Sequence, residues 1–300
     1  MSTPLLEQLR EFAEKNDWDG VLAAGTQIQA MAGPAAERAE AVHILGRAHW
    51  NRAHTPGIEN DPWDLKLAVQ FARQALALAS EDHDLQGRIT KALGTRLVTI
   101  GRFTEGRKLL QRWMFYHYTS PVSQVAALAE AQYSLGYSYR YEADLIAAEQ
   151  WYNAAVSNFG RAGNTDWVQL TTCALAQVQA RQGHARVATG TLAQVPIGGP
   201  HEAYRLKAQA EVYASAGADF EALVVGEQAS EALLELDDQD PWELAELHLL
   251  LADLQSRAGN RTEQLKHLAL AQDVLRTSPR HDLYRLACML LDYDRKEVSA

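Results

Sequence analysis

Apolar residues recur along the chain at spacings of three and four, as in Leu244, Leu247, Leu251 and Leu254, then Leu265, Leu268, Ala271 and Leu275. That period lays one apolar stripe along each helix. Alternating runs of strand type are absent, so the pattern predicts an all-α chain of about fifteen helices joined by short turns. Gly101-Arg102, Gly183-His184, Ala216-Gly217 and Gly259-Asn260 mark such turns. Pro4, Pro34, Pro62, Pro121, Pro200, Pro241 and Pro279 stand just before long periodic stretches, most of them after Thr3, Asp61, Ser120, Asp240 or Ser278. Proline suits a first helical turn, whose N–H groups have no partner, and the preceding polar side chain accepts one of those N–H groups.

One start signal occurs twice, as Asp61-Pro62-Trp63-Asp64-Leu65 and Asp240-Pro241-Trp242-Glu243-Leu244. Asp64 and Glu243 lie three residues after the cap, where a capping box wants an acid, so each copy reads as a helix start with an anchoring Trp.

Small residues reveal a repeat. Gly94, Gly136, Ala176, Ala210 and Ala252 are each followed after seven residues by Gly101, Ala143, Gly183, Gly217 and Gly259. Five positions further on stand Gly106, Ala148, Ala188, Ala222 and Gln264. Another unit begins at Gly46, with an insertion around residues 54–60 that either overhangs its neighbours as a flap or is a tolerated excursion. Two antiparallel helices approach closely only where small residues face each other, and a single hairpin cannot bury its own apolar face, so such units stack. The expected organisation is one domain over residues 1–300, with hairpins near 4–31, 34–80, 83–118, 121–159, 164–195, 200–236 and 241–277 and a capping helix at 279–293.

The series Leu135-Gly136, Tyr139, Ala143, Ala148, Tyr152 and Ala155 resembles the tetratricopeptide repeat, and Leu93-Gly94 with Gly101, and Gly217 with Ala222 and Ala229, are further copies. The family repeat is about 34 residues; the units here begin 42, 40, 34 and 42 residues apart. The resemblance implies a right-handed superhelical solenoid of about seven helix-turn-helix repeats, its concave wall built by the first helix of each pair. Carrying the wall positions onto this chain selects His43, Arg47, Trp50 and Asn51, then Arg88, Lys91 and Thr95, then Tyr133, Tyr137, Arg140 and Tyr141, and finally Cys173, Gln177, Arg181, Lys207 and Glu211.

The chain has 28 Lys+Arg against 38 Asp+Glu and a net charge of −10. An acidic protein is a poor general binder of nucleic acid or anionic membrane. The inferred wall departs from that balance, offering Arg47, Arg88, Lys91, Arg140, Arg181 and Lys207 beside Trp50, Tyr133, Tyr137 and Tyr141. Arg and aromatic side chains anchor binding surfaces. The expectation is a non-enzymatic protein- or peptide-binding scaffold that holds an acidic segment or C-terminus, with Arg88, Lys91 and Arg140 replaceable together without loss of stability. The counter-reading pairs these cations with acids of neighbouring helices. A two-Lys, two-Asn, one-Arg carboxylate clamp of the chaperone-binding members is not matched, because the paired asparagines are missing.

The rival is a peptide- or small-ligand-sensing regulator, similar to bacterial repeat-type receptors for signalling peptides but without a DNA-binding domain, since residues 1–31 are too short for one. Self-association through Cys288-Met289-Leu290-Leu291 is a further alternative. The run Trp113 to Tyr118 reads as a plug between hairpins, or, if exposed, as a partner patch. No metal or cofactor is expected: the ten histidines are scattered and Cys173 and Cys288 lie far apart. With no signal segment or apolar span visible, a cytoplasmic location is expected.

Overall fold

The computed structural model describes residues 3–53, 62–79, 82–117, 125–236 and 241–276, and their regular structure is entirely α-helical. The 54–60 insertion, the caps Asp61, Ser120, Asp240 and Ser278, the helix expected at 279–293 and Cys288 lie outside these residues. The chain divides into two compact units, 1–118 and 119–300.

The first unit holds α1 (Pro4–Glu14), α2 (Trp18–Ala23), α3 (Gly25–Gln29), α4 (Ala35–Arg52), α5 (Pro62–Leu78), α6 (His83–Thr99) and α7 (Phe103–His117). The expected hairpin at 4–31 is thus three helices, its second arm split into two short pieces. Thr3 precedes Pro4 as predicted, but its side chain makes no cap; its backbone N–H donates to Glu37 instead (3.2 Å). Leu6, Leu9, Val21, Ile28 and Leu45 close an apolar core between these helices and α4.

The second unit holds α8 (Val125–Tyr141), α9 (Leu145–Arg161), α10 (Thr165–Arg181), α11 (Ala185–Leu192), α12 (Glu202–Ser215), α13 (Asp219–Leu234), α14 (Pro241–Arg257) and α15 (Arg261–Leu275). Consecutive helices pack as hairpins, and the first helices of successive pairs also meet, α10 against α12 and α12 against α14. In the first unit α4 meets α6 in the same way.

The turns are built as the repeat spacing predicts. Gly101, Ala143, Gly183, Gly217 and Gly259 all have left-handed φ, between 61° and 81°. At each the chain reverses through a helix-ending motif that satisfies the last carbonyls, with Arg102 N–H bonded to Leu97 O (2.8 Å) and Asp144 N–H to Tyr139 O (3.0 Å). The next helix then starts on a side-chain cap where the sequence supplies one: Asp144 accepts from Ala147 N–H (3.1 Å) and Asn164 from Trp167 N–H (3.2 Å).

Small residues set the helix spacing. A Cβ placed on Gly106 would stand 2.8 Å from the carbonyl oxygen of Gly94, and one on Gly136 would stand 2.7 Å from the Tyr152 ring. Ala148, Ala176, Ala188, Ala210 and Ala222 are fully buried at the equivalent places.

Candidate cationic seat in the first unit and ion cluster in the second

In the first unit α4 carries His43 and Arg47 and packs against α6, which carries Arg88 and Arg96. Arg96 was not among the wall positions because it falls two residues after Gly94, on the side that reads as packing. It is buried, at 3% exposure, and its guanidinium donates to the Ala68 carbonyl (2.9 Å) and lies 5.8 Å from the Trp50 ring centre. Gly46 makes this path available: a Cβ there would stand 3.1 Å from Arg96 Nη1. Arg47, next in sequence to Gly46, is exposed and its guanidinium lies 5.2 Å from the Trp18 ring centre. Arg88 is exposed one helix away, and Lys91 and Trp50 are half-buried.

The charges of these groups act on one another. Burial, and next the charge of Arg47, push the Arg96 guanidinium down to about 10. Burial and the charge of Arg88 lower Arg47. His43 is pushed down to about 3 by burial first, then by Arg96, Arg47 and Arg88, and its Nδ1 has no hydrogen-bond partner. No carboxylate pairs with Arg47, Arg88 or Arg96 among the described residues. An unpaired buried cation is costly, so a seat of this composition favours a bound anion.

The acid of the first start motif serves a different group. Asp64 is buried and accepts from His49 Nδ1 (2.7 Å) and Arg52 Nε (2.7 Å), so it ties α5 to the end of α4.

The second unit also gathers its predicted cations, and here they are matched by acids. Arg140 donates to Gln177 Oε1 (2.7 Å), Tyr141 Oη (2.9 Å), Glu243 Oε1 (3.0 Å) and Glu246 Oε2 (2.9 Å). Lys207 is fully buried and donates to Glu243 and to Glu246 Oε2 (2.9 Å). Arg181 forms a two-pronged pair with Glu211 (2.8 and 3.1 Å). Burial alone would push Glu243 and Glu246 up, but Lys207 and Arg140, joined by Arg181 at Glu246, outweigh it and hold both carboxyls below the usual range. Three cations thus face three carboxylates, and the wall of this unit is not basic. Glu243 and Glu246 escaped the sequence reading because Glu243 looked like half of a capping box.

The expected aromatic anchors are placed accordingly. Tyr137 is buried against Tyr141 (ring centres 4.5 Å apart) and Trp242 (6.5 Å). Tyr133 stands edge-on to Trp167 (5.2 Å) and tilts against Tyr152 (5.6 Å), inside the hairpin packing. Beside the ion cluster an open cleft of about 410 Å³ is lined by Arg181, Glu211, Ser215, Glu246, Leu250 and Arg257. Arg181, about a third exposed (32%), and Glu211 are the predicted wall residues that line this cleft.

Solved structures of the same architecture include the apo form of RapI, with a TM-score of 0.68 and 13% identity over 91% of this chain and 96% of RapI. The apo form of the quorum sensor NprR from B. thuringiensis gives 0.60 at 10% identity over 95% and 78%. A tetratricopeptide repeat protein from Parabacteroides merdae gives 0.59 at 14% identity over 95% and 97%. The fold is that of tetratricopeptide-like helical repeats. At these identities the likeness is one of fold. No family model matches the sequence, and no curated protein is similar to it in sequence.

No group of three metal-ligating side chains is present among the described residues, and no helix there is long and apolar enough to cross a membrane. The Cys173 thiol is pushed up to about 12 by burial, which keeps it out of the reactive thiolate form.

Proposed function

We propose that this chain is a non-enzymatic recognition protein of the regulatory, ligand-sensing kind, which holds an acidic peptide segment or a free C-terminal carboxylate at the first unit. The observation that carries this reading is the trio Arg47, Arg88 and Arg96 on the neighbouring helices α4 and α6, whose charges act on one another and on His43, with no carboxylate paired to any of them among the described residues. Arg47 and Arg88 are exposed and free to take a bidentate acid, while Arg96 supplies a fixed charge behind them. Trp18 and Trp50 offer flanking rings for the rest of a peptide. The likeness of fold to a quorum sensor supports the sensing aspect.

The same reasoning moves Arg140, Arg181 and Lys207 from ligand anchors to internal partners of Glu211, Glu243 and Glu246, because a ligand acid there would have to displace a carboxylate already in place. Replacing Arg140 would therefore unsettle the second unit rather than report on binding.

The test is affinity capture with acidic peptides on beads, comparing the wild type with Arg47→Gln/Arg88→Gln at low and moderate salt. Capture that the double substitution abolishes and salt weakens, with unchanged thermal unfolding, supports the reading. Equal capture by both proteins sinks it.

A further inference from the structure

The open cleft of the second unit, about 410 Å³, lies where three first helices end: Arg181, Ser215 and Arg257 are the last residues of α10, α12 and α14, and all three line it. Each such helix end carries about half a negative charge, which favours a cation. The two guanidiniums at the cleft are already taken. Arg181 gives its Nε and Nη2 to Glu211 (2.8 and 3.1 Å), and Arg257 donates to Asp219 (3.2 Å) and to Asp253. The buried cluster of three cations and three carboxylates is balanced, whereas Arg257 answers two acids. Among the described residues, these paired groups therefore hold one carboxylate in surplus.

The unanswered acceptor can be named. Glu243 accepts from Arg140 at one oxygen and from Lys207 at the other, and Arg181 covers both oxygens of Glu211. Glu246 takes both of its hydrogen bonds at Oε2, from Arg140 and Lys207 (each 2.9 Å). Its Oε1 is left with Arg181 Nη2 at 3.6 Å, too far for a hydrogen bond. The Glu246 side chain is only 10% exposed and lines the cleft. A buried acceptor without a donor is costly, and here the cleft gives a donor a way in. One free oxygen suits a point donor, because a guanidinium fork wants two acceptors side by side. Ala180, Ala214 and Leu250 supply apolar lining for a stem behind the charge. We infer that this cleft binds a primary ammonium on a short alkyl stem, the ammonium donating to Glu246 Oε1 and the stem lying against Ala214 and Leu250. The site lies wholly in the second unit and stands or falls apart from the acidic-segment reading of the first. The ammonium has two sources, a lysine side chain of a partner segment or a free aliphatic amine.

The experiment titrates the whole chain by calorimetry at neutral pH in a chloride buffer of low ionic strength. The probes are butylamine, lysine blocked as its N-acetyl methylamide, and norleucine blocked in the same way, which keeps the stem and lacks the charge. Expected is binding of blocked lysine at least about tenfold tighter than blocked norleucine. Leu250 stands one helical turn after Glu246 on α14, so Leu250→Lys places a resident ammonium near the same carboxylate, in the favourable order of acid before base. That substitution is expected to abolish binding of both amines, and Leu250→Met, which keeps the apolar lining, to retain it. Ala214→Leu fills the cleft without touching an ion pair and serves as a second block; circular dichroism checks that each variant has folded.

Blocked lysine binding more tightly than butylamine supports the site and assigns the ammonium to a partner's side chain. Butylamine binding as tightly or more so supports it equally and assigns the ammonium to a free amine, since nothing of a peptide is then recognised. Equal affinity for blocked lysine and blocked norleucine overturns the inference. So does absence of saturable binding by both amines at millimolar concentration, or full binding by a folded Leu250→Lys or Ala214→Leu protein.

Discussion

Arg140 at the end of α8 and Glu243 at the start of α14 are hydrogen-bonded at 3.0 Å across 103 residues of sequence. The bond belongs to a cluster in which Lys207 and Glu246 complete the charges. Removing one member leaves a buried charge without its partner, so Glu243→Gln is expected to cost about 3–5 kcal/mol. Replacing Arg140, Lys207, Glu243 and Glu246 together by Met and Leu removes the desolvation cost along with the attraction. That variant is expected to unfold near the wild-type midpoint or above it. Urea unfolding of the two proteins decides the matter; a mild single substitution would mean that the cluster adds little.

Acid should act on the same cluster with a definite sign. Glu243 and Glu246 have native pKa values below the ordinary 4.5, so their contribution is fully present above that value and is lost as pH falls toward the native values. A second loss starts at higher pH. His248 is pushed down to about 4 by burial, then by His267, whose Nδ1 is 3.3 Å away, and by Lys266. The unfolded chain therefore takes up a proton below about 6.5 that the native chain refuses down to about 4, and stability declines across that window. His43, held down to about 3, adds to the same decline, so His248→Gln is expected to make it shallower between pH 6.5 and 4 without removing it, and the Met/Leu cluster variant to flatten the drop below 4.5, both read from thermal midpoints against pH.

The two start motifs, alike in sequence, place their tryptophans differently. Trp242 is 6% exposed and packs on Tyr137, whereas Trp63 is 62% exposed with Lys66 Nζ 5.5 Å from its ring centre. Trp242→Ala should cost about 3–5 kcal/mol as a large core truncation, and Trp63→Ala under about 1 kcal/mol. Similar losses in the two variants would contradict this assignment.

Helix pairing was legible because it rests on local, repeated constraints. The interval of twelve residues that sets Gly94 against Gly106 is the physical distance down one helix, round a tight turn and back, so the spacing could be counted along the chain. Gly106→Ala tests this: its Cβ would meet the Gly94 carbonyl and the Val98 backbone nitrogen (3.0 Å), neither of which a rotamer change can move, for a net loss of about 2 kcal/mol. The charge balance of the wall was not legible in the same way. Arg140 and Lys207 stand on predicted positions, but their acids arrive from α14, and no local pattern announces a partner 103 or 36 residues away. Arg96 was hidden for a related reason, since its route depends on the absence of a side chain at Gly46, on a different helix.

Ala143 offers the most economical check on the turn chemistry. It occupies the place that Gly101, Gly183, Gly217 and Gly259 fill in the other turns, and like them it is left-handed, at φ 61°. Its Cβ is then crowded against the following carbonyl, a strain of about 1–2 kcal/mol that glycine does not carry. Glycine loosens the unfolded chain and gives back part of that gain, about 0.4–1 kcal/mol. Ala143 is exposed, so no packing is lost with its methyl group. Ala143→Gly is therefore expected to stabilise the protein by about 0.5–1 kcal/mol, and Gly183→Ala, its mirror experiment, to destabilise it by a similar amount. Opposite shifts in the two urea midpoints fit a shared left-handed turn; a loss of stability in both would show that Ala143 is held by contacts beyond its backbone conformation.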